Sequence, residues 1–296
     1  MKNPFPRQVK RIGVAAPASS ADRSRFASSG AWLRERGIEL VEGEHLFSGA
    51  ALPYLSASDD DRAEDLNRLI RDPSIDVIQC LRGGYGSPRI LDRIDWDSLR
   101  RRSLPLIGFS DITAIHLAML AKRAGVPVAG QMAANLSESM KEPATFLSFQ
   151  RALAVAFLGK KGFSESIPLE VLQKGDCGGR IVTANLTLLA ALCGSEYLPD
   201  FSGSILIVED VGEPVRKIDR HLTQLRHAGI LGRVSGLIFA QFTDCGEEAV
   251  RRELFCEFAG FVNGPVLNGL AFGHEIPSLS FVCGEEGAIR DGRLLF

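Results

Sequence analysis

Short apolar runs of a strand's length alternate along this chain with stretches whose apolar positions recur every three or four residues. Residues 12–16 form the first run, closed by Pro17-Ala18-Ser19-Ser20, and read as a buried strand whose polar exit opens a helix over 21–36. Within 59–71, Ala63, Leu66, Leu69 and Ile70 keep helical spacing. Residues 75–81 then form a strand, followed directly by Arg82-Gly83-Gly84-Tyr85-Gly86. A third strand spans 104–109, and a helix over 112–124 carries Ile112, Ile115, Met119 and Leu120 on one side. This alternation predicts an α/β fold with a largely parallel sheet. An apolar helix over 143–158 follows, with proline in its first turn, before a break at Gly159-Lys160-Lys161-Gly162. Beyond it the pattern gives a helix over 185–192, a strand over 204–208, a helix over 218–227 and a strand over 236–242. The organisation expected is an N-terminal, mostly parallel α/β sandwich domain over 1–160, a linker over 161–175 and a C-terminal mixed α/β domain over 176–296.

Composition narrows the function classes. With 296 residues, 45% of them hydrophobic and 24% charged, the chain has ordinary globular composition and length for one or two domains. Its 34 basic and 36 acidic side chains leave a formal charge of -2, so no net positive field favours a nucleic-acid partner. No apolar stretch reaches the eighteen or so residues of a membrane span, and the start of the chain does not read as a signal peptide. No membrane partner is expected, and cytoplasmic residence is the default. Six cysteines (Cys80, Cys177, Cys193, Cys245, Cys256, Cys283) form no CxxC pair and read as small buried hydrophobes in a reducing compartment.

The segment richest in chemistry is Gly108-Phe109-Ser110-Asp111-Ile112, where a buried strand meets a helix with a serine at the junction. A tight turn there exposes the hydroxyl at the carboxyl end of the sheet, beside the first N–H groups of the helix. Ser-Asp before an apolar helical run is equally an ordinary N-cap. The three glycines of Arg82-Gly83-Gly84-Tyr85-Gly86 let backbone approach a ligand, without the spacing of a phosphate-binding P-loop. A nucleophilic serine needs a base, and there are five histidines. His116 lies six residues beyond Ser110, a rise of roughly 9 Å along a helix. His221 and His227 share a charged helix with Arg220 and Arg226 and read as surface residues, while His45 lies in a loose polar stretch. His274, in Phe272-Gly273-His274-Glu275 at the end of an apolar run, is placed where a loop can hold an imidazole over a cleft. The strand ending in Glu209-Asp210 supplies buried acids that need partners, and strand alternation puts them on opposite faces without selecting one.

Together these segments resemble the muramoyltetrapeptide carboxypeptidases, or L,D-carboxypeptidases, of serine peptidase family S66. The resemblance rests on Ile12-Gly13-Val14-Ala15-Ala16-Pro17-Ala18-Ser19, the Arg82–Gly86 loop, Gly108-Phe109-Ser110-Asp111, Leu206-Ile207-Val208-Glu209-Asp210 and Phe272-Gly273-His274, in family order across nearly the whole chain. It implies Ser110 as nucleophile, Glu209 rather than Asp210 as orienting acid and His274 as base, in a site between two domains. Backbone N–H groups of Gly84 and Asp111 would form the oxyanion hole, with no metal or organic cofactor. The activity implied is release of the terminal D-alanine from a murein tetrapeptide, a small peptide, in peptidoglycan recycling; a homodimer is compatible with the sequence. The chain departs from the family's Gly-Gly-Asn-Leu run at Thr183-Ala184-Asn185-Leu186 and carries Cys283-Gly284 where Pro-Gly is more familiar. A microcin-immunity-like hydrolase of peptidyl or aminoacyl nucleotides shares these motifs, but residues 176–185 hold no aromatic platform for a base. A non-enzymatic two-lobed ligand-binding protein is the alternative from another class.

Overall fold

A computed structural model describes residues 3–159 and 164–296. Arg11–Ala15, Glu39–Glu42, Val77–Cys80, Pro105–Gly108 and Val126–Ala129 pair in parallel, the strand Arg11–Ala15 lying between the second and third. The central strands are buried on both faces, which is why they read as unbroken apolar runs rather than alternating ones. Helices Arg23–Arg34, Asp59–Arg71 and Thr113–Lys122 supply crossovers. Asp22 and Ser58 cap the first two, each accepting from backbone N–H groups two or three residues on. The loops that follow the carboxyl ends of Arg11–Ala15, Val77–Cys80 and Pro105–Gly108 therefore lie at one edge of the sheet, the usual place for a ligand site in such folds.

A second sheet of eight strands is mixed. Cys177–Asn185, Ile205–Val211, Gly236–Thr243 and Val266–Asn268 run parallel at its centre, with antiparallel strands outside them. Two of those outer strands, Ser166–Pro168 and Glu170–Gln173, fall in the stretch read as a 161–175 linker. They are short and mostly exposed, so they lack the apolar signal that marks central strands. The proposed break at Gly159-Lys160-Lys161-Gly162 lies, beyond Gly159, outside the described residues.

The halves are not separate in space. Phe281–Val282, from late in the chain, adds antiparallel to Val126–Ala129 at the edge of the first sheet. One apolar core runs through both, joining Ile112, Leu117 and Leu106 to Leu186, Leu189 and Leu206. Among the described residues no helix is long and apolar enough to cross a membrane. The six cysteines are free; Cys80, Cys245 and Cys283 are buried as expected, but Cys256 is exposed on the helix Glu248–Ala259. His45 is not loose either: Asp65 accepts from its backbone N–H at 2.7 Å and contacts its ring at 3.2 Å. His221 is half-buried rather than at the surface.

His116 lies beneath the first sheet, its Nε2–H donating to the Leu106 carbonyl at 3.1 Å. Burial lowers its pKa to about 4. The unfolded chain takes up this proton near pH 6.5 and the folded chain only near 4, so stability is full above pH 6.5 and lost as pH falls through that window. Between pH 7 and 4.5 this one group removes about 2–3 kcal/mol. Urea denaturation at the two pH values should show that His116→Gln loses that much less than the parent; parallel losses would contradict the assignment.

Candidate active site

The strand Pro105–Gly108 ends in a single 3₁₀ turn, Ser110–Ile112, before the helix Thr113–Lys122. Ser110 sits in that turn at φ 61°, a left-handed conformation that costs a non-glycine residue about 1–2 kcal/mol. Such strain persists where the surroundings over-determine it, often at functional sites. The ordinary N-cap reading does not describe this serine, because no side-chain cap is formed at the turn or at the helix. Its Oγ instead lies 3.1 Å from His274 Nε2.

The loop after Val77–Cys80 packs against that turn. Gly83 is required by close approach: a Cβ there would lie 3.0 Å from Ser110 Cβ and 3.2 Å from its Oγ. Asp111, on the other side, is buried and ties the two loops together, its Oδ2 accepting from Ser87 N–H at 2.8 Å and its carbonyl from the Ser87 hydroxyl at 2.5 Å. Burial pushes its carboxyl pKa up, opposed by those bonds. Neither the Gly84 nor the Asp111 backbone N–H donates to another group among the described residues.

From the second sheet comes Glu209, wholly buried on Ile205–Val211, whose Oε2 lies 2.8 Å from His274 Nδ1. Burial pushes its pKa above the carboxylate range, while the hydrogen bond from His274 pulls it down. Its other oxygen accepts from Asn185 Nδ2 at 3.2 Å. The same amide donates to Asp210 Oδ1 at 3.0 Å, and Asp210 is further satisfied by the N–H and hydroxyl of Thr187 and by the Val211 N–H. Both neighbouring acids thus have partners, and the one that meets the imidazole is Glu209. The backbone N–H of Asn185 donates to Thr113 Oγ1 at 2.9 Å, linking the acid's strand to the helix behind the serine.

His274 itself rides on a loop held from both halves. Gly273, at φ 144°, brings the backbone over Gln241 and Glu209, where a Cβ would fall 2.9 Å from Gln241 Cβ. Gln241 accepts from Glu275 N–H at 2.8 Å and donates to the Pro277 carbonyl at 3.0 Å. Ser278 bonds Gly273 and, through its own N–H, Thr145 at the start of the helix Pro143–Leu158. Serine and histidine open onto a cavity of about 470 Å³ that also exposes Arg82, Gln131, Asn135 and Ile276. Sequence reasoning missed Asn185, Gln241 and Ser278. Only Asn185 carried a signal, as the last polar residue before an apolar helical run.

A hydroxyl, an imidazole and a buried carboxylate in series can deliver to an acyl carbon an oxygen nucleophile activated by removal of its proton. The family profile described as the LD-carboxypeptidase N-terminal domain matches residues 12–130, and its C-terminal counterpart matches 178–289. The chain belongs to the S66 LD-carboxypeptidase family. A family member from Pseudomonas aeruginosa, a murein tetrapeptide carboxypeptidase, is 31% identical over 300 residues, covering 96% of this chain and 94% of that one. The microcin C7 self-immunity protein MccF of Escherichia coli is 28% identical over 306 residues, 93% and 88% of the two chains. The solved muramoyltetrapeptide carboxypeptidase of Oxalobacter formigenes superposes with a TM-score of 0.83 at 23% identity, covering 97% of each chain. The S66 fold is shared throughout, as a two-sheet α/β structure.

Gly83→Ala should press a methyl group onto Ser110 and shift its hydroxyl by a few tenths of an ångström, slowing fluorophosphonate labelling of that serine by about 10- to 100-fold. Circular dichroism should show the fold retained. Unchanged labelling in the folded variant would remove the significance of this contact.

Proposed function

We propose that this chain is a serine carboxypeptidase that releases the terminal D-alanine from murein tetrapeptides. The observation that carries the reading is the continuous bonding of Ser110, His274 and Glu209 at the cavity wall. In this mechanism Glu209 holds the imidazole with its proton on Nδ1, leaving Nε2 to take the Ser110 proton as Oγ attacks the scissile carbonyl. The N–H groups of Gly84 and Asp111 stabilise the oxyanion. The C–N bond then breaks as His274 returns the proton to the departing amine, and water, activated by the same imidazole, releases the tripeptide from Ser110. The nucleophile would belong to an N-terminal unit and the acid and base to a C-terminal one.

The substrate class follows the murein peptide relatives. The nucleotide reading ranks below it because the murein peptide relatives are the more similar in sequence, at 31% and 30% identity against 28% for the microcin immunity protein. A non-catalytic binding protein would have no use for a strained serine engaged by a carboxylate-held imidazole.

Mass spectrometry of the purified protein with a tetrapeptide ending in D-alanine should show its release, and little from the all-L analogue. Ser110→Ala should abolish release while remaining folded. Glu209→Gln should lower kcat by about 10⁴-fold, the loss seen when an orienting acid becomes an amide in serine proteases. Hydrolysis of aspartyl sulfamoyl adenosine but not of the tetrapeptide would replace the murein reading with the nucleotide one. Full turnover in Ser110→Ala would overturn the nucleophile.

A further inference from the structure

An enzyme that removes one terminal residue must recognise a free carboxylate about one residue's length, 3.3–3.6 Å, from the bond it cuts. That recognition calls for a cation close to the nucleophile and free of acidic partners. Among the described residues, Arg82 and His274 are the basic side chains that line the cavity, and His274 is engaged by Ser110 and Glu209. Among the described residues no aspartate or glutamate lines the cavity.

Arg82 differs from the arginines around it. Arg62 and Arg89 both pair with Asp59, and Arg62 is further engaged by the carbonyls of Pro17 and Gly86. The side chain of Arg82 makes one hydrogen bond among the described residues, from Nη1 to the Ser20 carbonyl at 3.2 Å. Most of the five donors of its guanidinium fork therefore remain for a ligand. Its place is fixed from both sides. It immediately precedes Gly83, the residue pressed against Ser110, and so lies one Cα step, about 3.8 Å, from that contact. Ser19 holds the loop, its N–H donating to the Gly83 carbonyl at 3.2 Å and its hydroxyl accepting from the Tyr85 N–H at 3.1 Å. The segment Pro17-Ala18-Ser19-Ser20 thus acts as a clamp, Ser19 on the loop backbone and Ser20 on the arginine head.

We propose that Arg82 binds the free C-terminal carboxylate of the departing residue and so makes the enzyme exo-acting. This rests on the carboxypeptidase reading above. A planar fork facing a carboxylate gives a charge-assisted, two-point contact, which a C-terminal amide cannot reproduce.

Calorimetry in the Ser110→Ala background separates binding from turnover. The probes are the tetrapeptide ending in D-alanine and its C-terminal amide. The free acid should bind about 10- to 100-fold more tightly than the amide, and adding Arg82→Met should erase that preference by weakening the acid alone. Arg82→Lys should keep part of it. Arg25→Met, in a hollow that adjoins the cavity along Ala134, Asn135, Ser139 and Ile276, should leave the ratio intact. No preference for the acid, a preference that survives Arg82→Met, or one that vanishes in Arg25→Met would overturn the assignment to Arg82. The two readings fail separately. An Arg82-dependent preference without D-alanine release by the parent sinks the carboxypeptidase activity, and the exo-acting role with it, while leaving Arg82 as a carboxylate-binding residue, whereas release with an Arg82-independent preference sinks only the anchor. Failure of the tetrapeptide to bind at all sinks both.

Discussion

The imidazole of His274 bridges two sheets that share an apolar core and a few further hydrogen bonds. One ring nitrogen reaches a serine at the end of the first sheet and the other a carboxylate inside the second, over 3.1 and 2.8 Å. Hydrogen bonds of that length tolerate little relative movement of their supports. Much of the surrounding structure acts to restrict that movement: the common core, the strand Phe281–Val282 paired with Val126–Ala129, and the bond from Asn185 to Thr113.

Placing Glu209 where no water reaches it is unfavourable by several kcal/mol for an ionised group after relaxation. A second acid, Asp210, sits beside it and raises the difficulty, since like charges oppose joint ionisation. Asn185 relieves both by donating one amide to the two side chains, and Thr187 and Val211 complete the coordination of Asp210. Asp210 therefore reads as part of the support for Glu209. Ser110 shows the same logic in the backbone. Its left-handed turn is held by the packing of Gly83 on one side and by the Asp111–Ser87 bonds on the other.

How far the sequence discloses this depends on whether a feature is local. The helices Asp59–Arg71 and Pro143–Leu158 are legible to the residue because periodicity and capping agree there. The serine turn is legible as a strand-to-helix junction, yet its φ is held by Gly83 and the Asp111–Ser87 bonds, and its hydroxyl meets His274, 164 residues away, instead of capping the helix. Elimination could isolate His274, whereas alternation along the strand left Glu209 and Asp210 equivalent. What separates them is the imidazole on a distant loop: His274 Nδ1 meets Glu209, whereas Asn185 on the neighbouring strand reaches both acids. Outer strands such as Ser166–Pro168 were illegible for a different reason, since exposed three-residue pairings leave no hydrophobic pattern.

The residues that escaped sequence reasoning share a physical character. Gln241 and Ser278 bond mostly to backbone, and their partners are chosen by the path of a loop rather than by any motif. Ser278 makes no bond to Ser110, Glu209 or His274 among the described residues, but its N–H bond to Thr145 anchors the histidine loop to a helix of the first half. A loop would otherwise be the least precise element on which to mount an imidazole that must meet two partners. Here it is fastened to the second sheet by Gln241 and to the first half by Ser278, so the imidazole is positioned by both bodies it has to connect. The geometry of the site is thus a property of the whole fold's closure, and the histidine loop is where that closure is expressed.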